Sequence, residues 1–258
     1  MDLYQERINA VDVQLKQYPS ALAQEFNRTL EMLIQSNNSP DVKFGKNEQV
    51  IWAELVIEIS KQAVRSWEAA AEFMKASPKV FPFLSFNDII KWAETGKLIC
   101  SKTPTLAAAY FRSSPGSLPY LSPSQIEDWG KLGLSLYKGS WRSSAIATRF
   151  FEISPELLKT LSIPQLQRFI EFILIICEDS YDLANDCLTI SSNVFSTLGD
   201  SRDYFIELII KSSLRSTRDI KAIFENTNNY LPLIAKKQQL RLLQIALTLS
   251  DNNEFSVS

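Results

Sequence analysis

Histidine is missing from all 258 residues. Its absence excludes Ser-His-Asp and Cys-His nucleophile systems, HExxH zinc sites and any imidazole general base. Glycine is scarce, 7 residues against 11 prolines, well below the average of about 7%. A chain with so little glycine is poor in tight left-handed turns, and no phosphate-cradling loop can be assembled: there is no GxGxxG, and Gly96-Lys97 has neither the upstream glycine nor the following Ser/Thr of a Walker A loop. Cysteine is limited to Cys100, Cys177 and Cys187, an odd number without metal or redox spacing. All three have apolar neighbours, so they are expected to be small core residues in a reducing compartment. Neither charge sign dominates, with 27 basic and 29 acidic residues. A helical array that grips duplex DNA would carry a basic stripe, so no nucleic-acid partner is expected; Arg215, Arg218 and Lys221 form only a local cluster on what reads as a solvated helix face. Long apolar runs are lacking too. The longest, Ile170 to Cys177, contains Glu171 and falls far short of the roughly 20 residues a membrane span needs. Asp2, Glu6 and Asp12 break up any secretory leader, and the expected location is cytoplasmic.

What the chain does have is a repeat. Three markers recur in one register. An aromatic stands at Trp52, Trp92, Trp129, Phe169 and Phe205, about 36 to 40 residues apart, within the range of repeat proteins. Ser-Pro follows at Ser77-Pro78, Ser114-Pro115 and Ser154-Pro155, then fades to Ser191-Ser192 and Thr227-Asn228. Leu-Ser follows at Leu84-Ser85, Leu121-Ser122 and Leu161-Ser162, then fades to Leu198-Gly199 and Ile234-Ala235.

Each unit predicts a helix A carrying the aromatic (Ile126, Trp129, Leu132 and Leu136 in one copy), a helix B (Ala145, Ile146, Phe150 and Phe151), and a short third helix. Ser-Pro suits the N-cap and first turn of that short helix, because proline there loses no intrahelical hydrogen bond. Proline also disfavours helix in the residue before it, so helix B is expected to stop there. Leu-Ser then closes the short helix and caps the next helix A. One unit cannot bury its apolar faces alone, whereas stacked units share a core. The fold class is therefore all-α, an α-solenoid of about five to six helical-hairpin repeats of 36–40 residues, and the five aromatics are expected between repeats rather than against a ligand.

As domains, residues 1–47 are expected to form N-terminal capping helices, 48–250 the repeat array, and 251–258 a disordered tail, all in one continuous domain. Residues 37–47 are the best candidate for a mobile loop. The last helix A would direct Leu240, Leu243 and Leu247 inward.

Candidate chemistry is thin. Glu54, Glu94, Glu171 and Glu207 each fall two residues after the marker aromatic, with Lys131 in the third unit. Such a row of acids suits cations or a basic partner, or is simply a solvated edge. Asp179, Asp182 and Asp186 cluster near a helix start, where the dipole favours acids. Gly130 and Gly133 inside a helix A point to close helix contact. No catalytic, cofactor-binding or metal-ligating residue is assigned.

The phrase WxxLGLxLxxxSWxxAxxFFxxSPxxLxxLS, from Trp129 to Ser162, resembles the helical repeats that precede the von Willebrand factor A domain in some bacterial NorD- and CoxE-like proteins. The resemblance covers residues 48–249. It implies a MoxR-type AAA+ ATPase as companion and a part in activating metalloenzymes. The Asp-x-Ser-x-Ser metal site of that domain is absent from this sequence, so only a recognition or scaffold arm carries over. The functional expectation is a non-enzymatic scaffold that binds another protein. The alternatives are a carboxylate-based enzyme in a repeat groove, which requires a pocket with several acids of perturbed pKa, and a DNA-binding array, which requires a positive surface.

Overall fold

The computed structural model describes residues 3–36 and 44–252. Every regular element in it is helical, and there is no strand among the described residues. The chain is an all-α helical-repeat protein. It divides into two compact units, Met1–Leu134 and Ser135–Ser258.

The first unit contains α1 (Leu3–Leu15), α2 (Ser20–Ser36), α3 (Lys46–Ser60), α4 (Trp67–Val80), α5 (Phe86–Lys102), α6 (Pro104–Ser117) and α7 (Gln125–Ser135). Odd-numbered helices pack on one another, α1 on α3 and α3 on α5; even-numbered ones do the same, α2 on α4 and α4 on α6. The result is two layers, with helix A always in one and helix B always in the other. The segment expected to cap the array, residues 1–47, supplies a hairpin placed in these same layers: Phe26 of α2 stacks on Trp52 with ring centroids 5.6 Å apart.

The second unit contains α8 (Trp141–Leu157), α9 (Ile163–Asp179), α10 (Tyr181–Leu198), α11 (Arg202–Arg215), α12 (Ile220–Tyr230) and α13 (Lys236–Asn252). Here α8, α10 and α12 form one layer and α9, α11 and α13 the other. Of the leucines expected to face inward from α13, Leu243 is buried while Leu240 and Leu247 are half-buried. The expected loop and tail lie mostly outside the described residues, at 37–43 and 253–258.

The marker aromatics have one kind of surroundings. Trp52, Trp92, Trp129, Phe169 and Phe205 are all fully buried. In the first unit the rings form a file: Trp52 to Phe73 at 6.3 Å, Phe73 to Trp92 at 5.0 Å, Trp92 to Phe111 at 5.2 Å, and Tyr110 to Trp129 at 4.8 Å. In the second unit, phenylalanines continue the pattern, with Phe169, Phe195, Phe205 and Phe224 meeting edge to face in sequence. Such ring pairs contribute about 0.5–1.5 kcal/mol beyond area burial.

Ser-Pro does not cap a short helix. Pro78, Pro115 and Pro155 lie inside α4, α6 and α8, within their last turns. The preceding serine is tied back onto its own helix. Ser77, Ser114 and Ser154 Oγ each donate to the carbonyl four residues back, on Phe73, Tyr110 and Phe150, at 2.7–2.8 Å. In the first unit the same hydroxyl accepts the indole N–H of helix A: Trp52 Nε1 to Ser77 Oγ at 3.0 Å, and Trp92 Nε1 to Ser114 Oγ at 2.8 Å. A buried indole N–H needs an acceptor, and helical backbone carbonyls are already engaged. The proline then limits how far the helix can continue.

The short third element is a 3-10 turn three residues further on: Phe81–Phe83, Leu118–Tyr120 and Leu231–Leu233, each with its own central proline. Leu-Ser caps the next helix A as expected at α5 and α9, whereas α7 begins only at Gln125, three residues past Ser122. Ser85 Oγ accepts from Asp88 N at the start of α5, Ser162 and Gln165 form a reciprocal capping box on α9, and Ser122 N donates to Gln125 Oε1 at 2.9 Å.

Candidate functional site

In each unit the acids two residues past the aromatics lie at the surface of the helix-A layer and are matched by cations. Arg7 of α1 donates to Glu54 of α3 at 2.5 Å. Lys97 of α5 lies 2.7 Å from Glu94 on its own helix and 2.8 Å from Glu58 on α3. Burial works against the charged Lys97, but its hydrogen bonds to Glu58 and Glu94 outweigh this and raise its pKa. At the position where a lysine replaces the acid, Lys131 reaches back to Glu127 at 2.7 Å. That hydrogen bond lowers the Glu127 pKa and raises that of Lys131. In the second unit Arg168 of α9 bridges to Glu207 of α11 at 2.5 Å and approaches Glu171 at 3.9 Å. In each unit the acids are held in surface ion pairs, between neighbouring A helices for Arg7–Glu54 and Arg168–Glu207 and within one helix for Glu94–Lys97, and such pairs contribute little to stability.

A groove of about 300 Å³ opens on this surface between α5 and α7, lined mainly by Ile90, Leu98, Leu134, Glu94 and the ion pair Glu127–Lys131. Gly130 makes it shallow: a Cβ there would strike Thr95 Cγ2, so the helices approach closely, as expected for that glycine. A carboxylate general acid requires a raised pKa, and the lining Glu127 is shifted in the opposite direction.

The other candidate clusters are not brought together. Arg215 reaches the Ser250 carbonyl, whereas Lys221 pairs with Asp186 of α10 at 2.9 Å, and Arg218 is exposed. Asp179 ends α9 while Asp182 sits in the first turn of α10, where its charge suits the dipole. Among the described residues no group of three or more His, Cys, Asp or Glu side chains could hold a metal ion, and no helix is long and apolar enough to cross a membrane. The three cysteines are free thiols. Cys100 and Cys187 are buried, as expected, but Cys177 is only half-buried because its side of α9 is partly open. Desolvation pushes the Cys177 thiol up to about 11 and that of Cys187 to about 12.

The feature that sequence reasoning missed is at the 3-10 corners. Phe81-Pro82-Phe83, Leu118-Pro119-Tyr120 and Leu231-Pro232-Leu233 share one design. The first residue of each is buried, while the third is an exposed large apolar side chain: Phe83 at 54%, Tyr120 at 47% and Leu233 at 80%. The signal in the sequence is an aromatic or leucine on both sides of a proline, four residues past Pro78, Pro115 and Asn228. In the third and fourth copies the corner reads Leu158-Lys159-Thr160 and Phe195-Ser196-Thr197, without the proline or the exposed apolar residue.

Comparison with protein-family models, curated proteins and solved structures returns no match to this chain.

Proposed function

We propose that this protein is a non-enzymatic helical-repeat scaffold that binds another protein through its repeat corners. One observation carries the reading: at three of the five repeat corners, two of them consecutive in the first unit, the residue after the proline is a large exposed apolar side chain while the one before it is buried. A single exposed apolar residue is ordinary, but recurrence at one structural position is the pattern of an interaction surface. The fixed φ of the central proline lowers the backbone entropy lost on binding. The ion-paired edge of the A helices supports the same assignment, since its carboxylates are engaged rather than poised for acid–base work.

The test is affinity capture from the source cell with wild-type protein and with the Phe83→Asp/Tyr120→Asp double variant. Both residues are exposed, so the variant folds, as circular dichroism would verify. A partner present with wild type and lost with the variant is the expected result. Equal capture by both would remove the corner surface.

A narrower version makes the scaffold an accessory arm of a MoxR-type ATPase and von Willebrand A pair. Its support is the repeat phrase from Trp129 to Ser162. An ATPase of that class among the corner-dependent partners is its expected outcome; an unrelated partner removes this version and leaves the scaffold standing.

A further inference from the structure

The helix α13 repeats the construction of α5, but with one side uncovered. Both follow a proline-centred corner and one extended residue pair, Leu84-Ser85 before α5 and Ile234-Ala235 before α13. Counting from the corner, Trp92, Ala93, Thr95 and Ile99 of α5 correspond to Leu242, Leu243, Ile245 and Leu249 of α13. On the inner side the match holds, with Ala93 and Leu243 both buried. On the other side it breaks. Trp92, Thr95 and Ile99 are at most 7% exposed, whereas Leu242, Ile245 and Leu249 are 47%, 48% and 59% exposed.

The first unit shows what covers these positions. Phe111 packs edge-on to Trp92 and Ser114 takes its indole proton, both from the following helix B, α6. Gly130 of α7 closes over Thr95 and Ile99. The stripe on α13 has the spacing i, i+3, i+7 of a helix-docking face, and Ile234, Leu242 and Ile245 line an open groove of about 470 Å³ there, with Gln238 and Arg241.

Charge narrows the occupant. The first turns of α3, α5, α7 and α11 carry Glu48, Asp88, Glu127, Asp128 and Asp203, and that of α9 carries neither acid nor lysine. Helix α13 begins with exposed Lys236 and Lys237 and adds Arg241 beside the groove, with no acid in its first turn.

We infer that the open side of α13 is a seat for an acidic amphipathic helix of a partner protein, which docks as helix B docks on helix A inside this chain. The apolar face of the partner helix covers Leu242, Ile245 and Leu249, and its acidic flank meets Lys236, Lys237 and Arg241. This adds a second surface to the scaffold reading and rests on that reading only for the partner being a protein.

The probe is a hydrocarbon-stapled, fluorescent peptide with the sequence of α10, Tyr181–Leu198, a helix B of this same chain with two aspartates and no lysine or arginine. Stapling removes the helix-formation penalty that a free peptide of this length pays. Anisotropy against the full chain is expected to show saturable binding. It should weaken about tenfold or more in Leu242→Asp/Ile245→Asp, and clearly in Arg241→Glu or when both aspartates of the peptide become lysine. A Val64→Asp variant, at an exposed site in the first unit, binds as wild type. Binding of no peptide, or binding unaffected by the α13 variants, overturns the seat. So does self-association of the chain that Leu242→Asp abolishes, which gives the face to a second copy, or peptide binding that appears only after residues 253–258 are removed, which gives it to the chain itself. The scaffold reading is judged separately: it stands if corner-dependent partners still bind the Leu242→Asp/Ile245→Asp protein.

Discussion

Trp92 donates its indole N–H to Ser114 Oγ at 2.8 Å, and the Ser114 hydroxyl in turn donates to the Tyr110 carbonyl at 2.7 Å. All three groups are buried. The relay joins helix A to helix B, and Trp52, Ser77 and Phe73 repeat it. Ser114→Ala strands a buried indole N–H and should cost about 1–3 kcal/mol of unfolding free energy. In Trp92→Phe the serine keeps its carbonyl bond, so no donor is stranded. The Trp92→Phe/Ser114→Ala double variant should therefore cost less than the sum of the single ones. Urea unfolding of the four proteins measures this; strict additivity would show that the hydrogen bond contributes nothing.

The repeats themselves carry a related pattern. Where Trp gives way to Phe169 and Phe205, Ser-Pro gives way to Ser191-Ser192 and Thr227-Asn228. A ring without an N–H has no use for the acceptor. Ser191 Oγ bonds instead to the Leu188 carbonyl.

Glycine-to-alanine changes inside helices usually gain about 1 kcal/mol from propensity. At Gly96 and Gly130 the opposite is expected. A Cβ at Gly96 runs into the Phe111 ring, and one at Gly130 into Thr95 Cγ2. Overpacking of this kind costs about 1–3 kcal/mol, so both alanine variants should melt below wild type. Gly139 provides a contrast: nothing lies within 4 Å of its would-be Cβ, but its φ is 80°, and Gly139→Ala should lose about 1–2 kcal/mol from backbone conformation alone. Thermal melts of the three variants separate the two causes when each is paired with relief of the clash, Phe111→Leu for Gly96→Ala and Thr95→Ser for Gly130→Ala; Gly139→Ala has no such rescue.

Much of this architecture was legible before any coordinates. The aromatic, Ser-Pro and Leu-Ser markers fix the helix pairs because each marks a place where burial or backbone chemistry allows few residue types. Ser-Pro was misplaced by local reasoning: proline statistics put it at a helix start, but the indole of a residue 22 to 25 positions earlier in the chain decides what the serine does. The acids after each aromatic were visible, whereas their neutralisation was not. Arg7 and Arg168 reach Glu54 and Glu207 across a helix-helix boundary, and one chain read linearly does not show which cation faces which acid. The corners escaped notice because burial of one residue and exposure of its neighbour but one is a property of the packed repeat.

The thiols give a pH dependence with a definite sign. Desolvation favours the neutral form, so Cys177 and Cys187 titrate near 11 and 12 in the folded chain, against 9.0 when exposed. Below pH 9 both states hold the proton and stability is unaffected. Above it the unfolded chain releases the proton first, so folded stability falls between pH 9 and about 11–12. The Cys177→Ala/Cys187→Ala variant should lose part of this alkaline decline in pH-dependent urea titrations. Alkylation of Cys177 by iodoacetamide at pH 8 should run roughly two orders of magnitude slower in native protein than in urea, from its thiolate fraction alone. Equal rates would place it in an open, solvated setting.

The central claim is that the proline corners are where this scaffold meets its partner. The most direct measurement places a photo-crosslinking amino acid at Phe83, at Tyr120 and, as a control, at the exposed Ser101 of α5, and irradiates the protein in its native cell. The account predicts that positions 83 and 120 yield an adduct with the same partner and position 101 yields none. No adduct from either corner, or the same adducts from all three positions, would contradict it.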